Sequence, residues 1–132
     1  MNGLRLLLDT CAALWYFLGS DNIPSSLKSL LRKPEHELFM SDVSLLEVVL
    51  KQSLGKLDLG SYSCDVLPLL ATKHLVDPLP LTQTAILALQ ELPMLHRDPF
   101  DRLLVCQALE NGMTLVTPDS LIQRYAVNTL WE

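Results

Sequence analysis

The fold of this chain is decided near its start by the stretch Leu4-Arg5-Leu6-Leu7-Leu8-Asp9-Thr10. Its apolar residues follow one another almost without interruption, which is the pattern of a strand buried on both faces of a parallel sheet. Asp9 closes the stretch, so its carboxylate is expected at the carboxyl edge of that sheet. Open α/β folds bind their ligands at this edge. Asp9 is therefore the first candidate for a functional site.

A second apolar run, Met113-Thr114-Leu115-Val116-Thr117, predicts another buried strand of the same kind. Pro118-Asp119-Ser120 follows it and is typical of a turn into a helix. Asp119 is thus expected at the same edge as Asp9. Two strand ends therefore each deliver a carboxylate to one edge of the sheet.

A helix is predicted over residues 42–54, with apolar side chains around most of its circumference. At about 100° per residue, Ser44, Glu47 and Lys51 form a single polar stripe along it. A helix this apolar is largely buried or packed against a partner, so the stripe faces either solvent or an internal cleft. Both alternatives stay open, because Glu47 and Lys51 also have the i, i+4 spacing of an ordinary surface ion pair.

The segment His96-Arg97-Asp98-Pro99-Phe100-Asp101-Arg102 precedes a further helical run. Asp98 and Pro99 are typical of an N-cap and a first helical position, because Asp accepts orphan backbone N–H bonds and Pro has no N–H to lose. This assignment puts Asp101 in the first turn, where its carboxylate projects away from the backbone.

Four acidic residues that are far apart in the chain are therefore candidates for one divalent-metal site: Asp9, Glu47, Asp101 and Asp119. Carboxylate oxygens suit hard cations such as Mg²⁺ or Mn²⁺. Without a cation, four converging carboxylates repel one another, and at least one is expected to hold a proton near neutral pH. Taken singly, Asp9, Asp98 and Asp119 are each explained as ordinary N-caps, so the hypothesis depends on the whole set.

The length and composition predict one domain over residues 1–132, and the alternation of helices with short buried strands predicts an α/β fold with helices on both faces of a parallel sheet. The chain is 49% hydrophobic, which is enough for a substantial core. A formal charge of −5, with ten scattered Lys and Arg residues, argues against binding nucleic acid through a broad basic surface alone. Three cysteines without CxxC spacing favour a reducing cytoplasm. No apolar run is long enough for a bilayer, so no membrane partner is expected.

The predicted helices cover residues 10–18, 24–32, 42–54, 65–74 and 82–92, and a sixth follows the cap at position 98. The predicted strands or extended pieces cover residues 4–8, 37–40, 76–81 and 113–117, with an edge strand at 127–130.

Four motifs, taken in order, resemble the successive motifs of PIN-domain ribonucleases. The likeness is greatest to the toxin components of VapBC-type toxin–antitoxin pairs, and it covers essentially the whole chain. The motifs are Leu6-Leu7-Leu8-Asp9-Thr10, Ser41-Asp42-Val43-Ser44-Leu45-Leu46-Glu47, the segment 96–102 quoted above, and Leu115-Val116-Thr117-Pro118-Asp119. Two residues depart from the family pattern: Cys11 stands where many relatives have Asn or His, and Leu46 where many have Trp.

The resemblance implies a PIN-like α/β/α sandwich with a short central parallel sheet. It also implies a catalytic metal cluster, with Mg²⁺ or Mn²⁺, formed by the four acids named above. Supporting or substrate-positioning roles are implied for Thr10, Ser44 and Thr117, and Asp98 is a further candidate for such a role. Arg97 and Arg102, together with His96, are candidate phosphate contacts because they flank Asp98 and Asp101.

The implied activity is that of an endoribonuclease that hydrolyses RNA phosphodiester bonds with a metal-activated water. The resemblance further implies a cytoplasmic toxin that forms a homodimer and is covered by a cognate antitoxin. One alternative is a catalytically inactive PIN-like module that binds RNA or protein. Another is a phosphoacceptor protein using Asp9; aspartate-nucleophile phosphatases need a second Asp two residues on, where this chain has Cys11.

Overall fold

A parallel five-stranded sheet forms the centre of the computed structural model, which describes residues 3–132. The order in the sheet is β3-β2-β1-β4-β5, so the first strand lies in the middle. Each neighbouring pair is parallel, and Leu7 of β1 is in register with Phe39 on one side and Leu115 on the other. The strands are β1 (Arg5–Leu8), β2 (Glu37–Ser41), β3 (Val76–Leu79), β4 (Thr114–Val116) and β5 (Thr129–Leu130).

Helices cover both faces of this sheet, so the predicted α/β/α sandwich is confirmed. The helices are α1 (Thr10–Leu18), α2 (Ser25–Leu31), α3 (Asp42–Ser53), α4 (Leu67–Lys73), α5 (Gln83–Ala88) and α6 (Pro99–Asn111). Short 3₁₀ turns occur at Cys64–Val66 and Ile122–Arg124. No helix in residues 3–132 combines the length and apolar character that crossing a membrane requires.

The alternation of side chains along β1 divides the core between the two faces. Leu6 and Leu8 pack with residues of α1, α2 and α4, whereas Leu7 packs with Leu104 of α6 and with Leu115. All three leucines of β1 have no exposed surface. Burial on both faces explains why this strand has a continuous apolar sequence rather than an alternating one.

The observed helix and strand bounds depart from the predicted ones mainly at α5. Thr82 caps this helix as predicted, with its hydroxyl accepting from the Ala85 N–H at 3.1 Å. The helix ends at Ala88 and not near residue 92. The chain then continues in tighter i to i−3 turns up to Leu92, which precedes Pro93. Because a residue before proline is disfavoured in helical conformation, these turns stop at Leu92.

Candidate functional site

A cavity of about 280 Å³ lies at the carboxyl edge of the sheet, where β1 and β4 end. Five carboxylates line it, belonging to the four predicted acids and to the predicted cap: Asp9, Glu47, Asp98, Asp101 and Asp119. Among residues 3–132, Lys51 is the only basic side chain in its wall. Thr10, Cys11 and Pro118 complete the lining. The cavity therefore carries a large excess of negative charge.

Asp9 occupies the deepest acidic position, with only 3% of its surface exposed. It follows β1 directly and caps α1, because its Oδ1 accepts from the Ala12 N–H at 2.8 Å. The Cys11 thiol donates to the same oxygen at 3.3 Å. Burial raises the pKa of the Asp9 carboxyl above its ordinary value of 3.8, and the hydrogen bonds from Thr117, Ala12 and Cys11 only partly oppose this. Asp9 is thus both a helix cap and a member of the acidic group.

The polar stripe of α3 faces the cavity, which decides between the two alternatives left open by the sequence. Ser44 and Glu47 are buried, whereas Leu46 and Leu50 on the same helix are exposed. Thr10 Oγ1 donates to Glu47 Oε1 at 2.6 Å and lies 2.9 Å from Ser44 Oγ. Glu47 Oε2 accepts from the Lys51 ammonium. The predicted polar stripe of this largely apolar helix therefore faces the cavity and not open solvent.

Asp98 and Asp101 occupy the first turn of α6. Asp98 Oδ1 accepts from the Phe100 N–H at 2.9 Å, which confirms the predicted N-cap. Asp101 projects into the cavity. Its pKa rises from 3.8 to about 7, first because the carboxyl is desolvated and then because Asp98 and Glu47 are nearby like charges. The surrounding protein groups therefore do not fully stabilise the charged form of the Asp101 carboxyl.

His96 joins Asp101 to Asp119. Its Nε2 lies 3.1 Å from Asp101 Oδ2 and 3.1 Å from Asp119 Oδ2. The Asp119 carboxylate also caps the chain after β4, because its Oδ1 accepts from the N–H groups of Leu121 and Ile122. Hydrogen bonds from His96 and from these backbone groups hold the pKa of Asp119 below its ordinary value, although burial acts in the opposite direction. In residues 3–132, the tightest group of potential metal ligands consists of these three side chains, whose ligand atoms lie within 4.8 Å of one another.

Thr117 lies directly beneath the acidic group and is fully buried. Its hydroxyl oxygen accepts from the Asp119 N–H at 3.0 Å. Its hydrogen bond to Asp9 lowers the pKa of that carboxyl. Thr117 thus links the two acids that follow β1 and β4, while Thr10 contacts Glu47 and is itself hydrogen-bonded to Ser44.

The two candidate arginines are not in the cavity wall. Arg102 turns its guanidinium toward the end of α5, where its NH2 donates to the carbonyl of Leu92 at 3.0 Å and reaches that of Leu89 at 3.5 Å. Arg102 therefore uses this donor to close the turn after α5 and does not line the cavity. Arg97 is exposed and does not line the cavity.

Two residues of the site, Lys51 and Tyr125, have no functional role predicted from the sequence. Lys51 lies on the predicted polar stripe with Ser44 and Glu47, and that position was the signal for its place in the cavity. Tyr125 is buried, and its hydroxyl accepts from the N–H groups of Leu95 and His96 while donating to the Pro93 carbonyl. These contacts join residues about 30 positions apart, so no local sequence pattern indicates them.

The donor set fits a hard divalent cation. It is made of carboxylate oxygens from four separate parts of the fold, and Asp101 Oδ1 has no hydrogen-bond partner among the described residues. The raised pKa values of Asp9 and Asp101 indicate negative charge that the protein does not neutralise itself. Mg²⁺ and Mn²⁺ prefer such oxygen ligands. Asp101 and Asp119 are the best placed to share one ion, with Asp9 and Glu47 on the inner side of the cavity.

The parallel sheet and its acidic edge define an α/β protein with a carboxylate-lined ligand site. The model of the PIN domain matches residues 6–128, and the chain belongs to that family. No curated protein is close enough in sequence to count as a match.

Solved structures of VapBC proteins share the fold at low sequence identity. One is VapBC2 from Rickettsia felis bound to a promoter DNA fragment, at 17% sequence identity and a TM-score of 0.69. The match covers 98% of the present chain and 100% of the Rickettsia chain. VapBC-1 from nontypeable Haemophilus influenzae is similar at 20% identity and a TM-score of 0.65, covering 96% and 97%. DNA-bound VapBC from Salmonella typhimurium is similar at 14% identity and a TM-score of 0.63, with the same coverage. At these identities the likeness establishes the fold.

Proposed function

We propose that this chain is an endoribonuclease that hydrolyses RNA phosphodiester bonds with Mg²⁺ or Mn²⁺. The observation that carries the proposal is the convergence of five carboxylates on one cavity, with the pKa of Asp101 raised to about 7. Such a cluster is unfavourable by itself and becomes favourable when a divalent cation is present. Membership of the PIN family supports the same conclusion.

The catalytic roles divide among the four acids by their position. Asp101 and Asp119 would hold the cation, and Asp9 and Glu47 lie deeper in the same cavity. A bound divalent cation supplies a water of lowered pKa and positive charge for the phosphate and the leaving oxygen. Thr10 orients Glu47 and is itself oriented by Ser44, and Thr117 orients Asp9 and Asp119. Asp98 contributes by capping α6, which fixes Asp101.

Lys51 is the side chain that we assign to contact the phosphate of the substrate. It is 40% exposed at its side chain, so its ammonium reaches both Glu47 and solvent at the cavity mouth. Glu47, Asp98 and Asp101 all favour its charged form, and the hydrogen bond to Glu47 is the largest cause of its raised pKa. A Lys ammonium binds phosphate as a point charge. We assign to Lys51 the phosphate contact that the sequence suggested for Arg102.

The substrate is single-stranded or looped RNA. The cavity is small at about 280 Å³, and the chain's net charge of −5 disfavours broad backbone binding. A scissile phosphate therefore has to enter the acidic site alone, which a splayed strand permits and a regular duplex does not.

Incubation of the purified chain with total cellular RNA tests this function. Discrete fragments are expected with Mg²⁺ or Mn²⁺ and should disappear with EDTA and in Asp101→Asn. Asp77→Asn is a matched control, because Asp77 is an exposed carboxylate on β3 outside the cavity. Absence of cleavage by a chain that binds Mn²⁺ would favour the alternative, an inactive PIN-like module that binds RNA or protein.

We further propose that the chain is the toxin of a toxin–antitoxin pair and acts in the cytoplasm as a homodimer. The similar solved structures are toxin–antitoxin complexes. On this chain, α3 and its C-cap expose Leu46, Val49, Leu50 and Leu54, on the helix that carries Glu47 and Lys51. Exposed apolar residues grouped on one helix are typical of a protein interface, and an antitoxin covering them would lie next to Lys51.

Expression of the chain alone tests the toxin role. Growth of the host should slow with the wild-type chain and remain normal with Asp101→Asn at the same protein level. Co-expression of an antitoxin encoded beside the gene should restore growth. Equal growth with both chains, in cells that contain folded protein, would contradict the toxin role while leaving the nuclease proposal to the cleavage assay.

A further inference from the structure

We propose that His96 is a positioning residue that holds Asp101 and Asp119 together through a fixed Nε2–H tautomer, and that it is not itself a metal ligand. The inference deepens the proposed function and rests on it only for the role of the metal. It concerns a side chain that at first sight belongs among the ligands, because His96, Asp101 and Asp119 form the tightest ligand-type group in residues 3–132.

The tautomer follows from the backbone of the α6 cap. The N–H of Asp98 donates to His96 Nδ1 at 3.1 Å. A backbone N–H is always a donor, so Nδ1 has to be the unprotonated nitrogen of the ring. The ring proton is therefore on Nε2. This is the atom that faces the two carboxylates.

An Nε2–H group between two carboxylates acts as a bridge. The proton is donated to Asp119 Oδ2 at 3.1 Å, and Asp101 Oδ2 lies at the same distance from Nε2 as an electrostatic contact, so the N–H dipole offsets part of the repulsion between the two carboxylates. Asp101 belongs to α6 and Asp119 follows β4, so the contact ties two separate elements together. Because Nε2 carries a proton, it has no lone pair for a cation. Carboxylates that bind metals are commonly held by hydrogen bonds of this kind from residues behind them.

The loop that carries His96 is itself fixed from behind. The Tyr125 hydroxyl accepts from the N–H groups of Leu95 and His96, at 3.1 and 3.0 Å, and donates to the Pro93 carbonyl at 2.8 Å. Tyr125 is buried, and the His96 side chain is only 11% exposed. The ring is thus held at both of its nitrogens and through its own backbone. Such restraint suits a group that sets the distance between two other side chains.

The assignment predicts a metal site with oxygen ligands only. A histidine ligand would shift the site toward Zn²⁺ and other borderline cations, whereas carboxylates alone favour Mg²⁺ and Mn²⁺. Loss of a hydrogen-bonding group behind the ligands typically costs 10-fold to 100-fold in metal affinity. The donor at Nε2 should therefore matter for metal binding although it does not touch the metal.

The first test is nitrogen-15 NMR of the histidine rings in the metal-free chain at neutral pH, assigned with His96→Gln. The expected result is the Nε2–H tautomer for His96, unchanged on addition of diamagnetic Mg²⁺. A ring protonated at Nδ1, or an Nε2 that loses its proton when Mg²⁺ binds, would overturn the proposal.

The second test compares Mn²⁺ affinity, by calorimetry, in His96→Gln and His96→Leu. Both variants remove Nδ1, so any loosening of the cap is common to the two. Gln retains an N–H donor near the Nε2 position, and Leu retains none. We expect Gln to bind Mn²⁺ within about three-fold of the wild type and Leu to lose roughly 10-fold to 100-fold. An equal large loss in both variants would indicate a ligand, and wild-type affinity in His96→Leu would remove any role.

His36 provides a matched control. Its Nδ1 also accepts from a backbone N–H, that of Leu4 at 3.0 Å, but it lies just before β2, at the opposite edge of the sheet from the cavity. Substitution of His36 by Gln or Leu should leave Mn²⁺ affinity unchanged. If the wild-type chain binds no Mn²⁺ at all, the proposed function fails, and the NMR tautomer still decides whether His96 bridges the two carboxylates.

Discussion

Replacement of Asp101 by Asn should stabilise the metal-free chain. The folded-state pKa of Asp101 is about 7, against an ordinary value of 3.8, so folding moves this carboxyl by about 3 pKa units. At 1.36 kcal/mol per unit, the ionised carboxylate opposes folding by at most about 4 kcal/mol. Solvent and relaxation reduce this figure, and we expect a gain of roughly 1–3 kcal/mol for Asn at pH 8. For a chain of this size the melting temperature should rise by roughly 5–10 °C.

The pH dependence of this gain follows from the sign of the shift. Because the folded-state pKa is raised, the contribution of Asp101 to stability is fully present below the unfolded-state value of about 4. It is lost as the pH rises through about 7. The advantage of Asp101→Asn should therefore be largest at pH 8 and nearly vanish by about pH 4.

Thermal unfolding followed by circular dichroism, in EDTA and from pH 4 to pH 8, measures the effect. Asp77→Asn is the control, and its melting temperature should follow that of the wild type. Saturating Mn²⁺ should raise the melting temperature of the wild type more than that of Asp101→Asn, because only the wild type keeps the full ligand set. A melting temperature for Asp101→Asn equal to or below that of the wild type in EDTA at pH 8 would show that the ionised Asp101 carboxylate does not oppose folding.

Three further substitutions separate the roles of neighbouring residues. In steady-state cleavage of a mapped RNA substrate, Lys51→Met should raise KM about 10-fold or more and leave Mn²⁺ affinity nearly unchanged, and Lys51→Arg should recover much of the loss. An unchanged KM in Lys51→Met would contradict the phosphate role of Lys51. In urea titrations, Arg102→Met should lower the free energy of unfolding by roughly 1–3 kcal/mol, because the carbonyls of Leu89 and Leu92 lose their donor. The same variant should leave KM unchanged, and a raised KM would support the phosphate contact predicted for Arg102 from the sequence. Tyr125→Phe should lower the free energy of unfolding by roughly 1–3 kcal/mol in the same titrations, because the loop that bears His96 loses the hydrogen bonds of this hydroxyl. It should also weaken Mn²⁺ binding in calorimetry, and unaltered Mn²⁺ affinity would argue against the supporting role of the hydroxyl.

Much of the fold could be predicted from local pattern alone. The uninterrupted leucines of β1 predict a strand buried on both faces, and the structure has Leu6, Leu7 and Leu8 without exposed surface in the centre of the sheet. The helix caps at Asp98 and Thr82 were readable because each is a short-range contact between a side chain and a backbone N–H two or three residues on. The tighter turns after Ala88 could not be predicted from local pattern, because the carbonyls of Leu89 and Leu92 there accept from Arg102, which is ten or more positions away.

The candidate site was predictable in its acids and less so in what holds them. A carboxylate after a buried strand reaches the carboxyl edge whatever its neighbours are, so Asp9 and Asp119 could be located from sequence. Whether the polar stripe on α3 faces solvent or a cleft could not be predicted from the sequence. Hydrophobic periodicity shows which residues share a face of a helix, but not what that face packs against. The bridge made by His96 requires α6 and the end of β4 to be in contact, which is a property of the assembled fold.

Anomalous diffraction from crystals of the wild-type chain grown with Mn²⁺ would locate the bound cation. We expect a peak in the cavity at the carboxyl edge of the sheet, within roughly 2.1 Å of oxygens of Asp101 and Asp119. The Nε2 atom of His96 should lie outside bonding distance of that peak. A peak bonded to His96, or a fully occupied cation elsewhere with none in this cavity, would contradict the account.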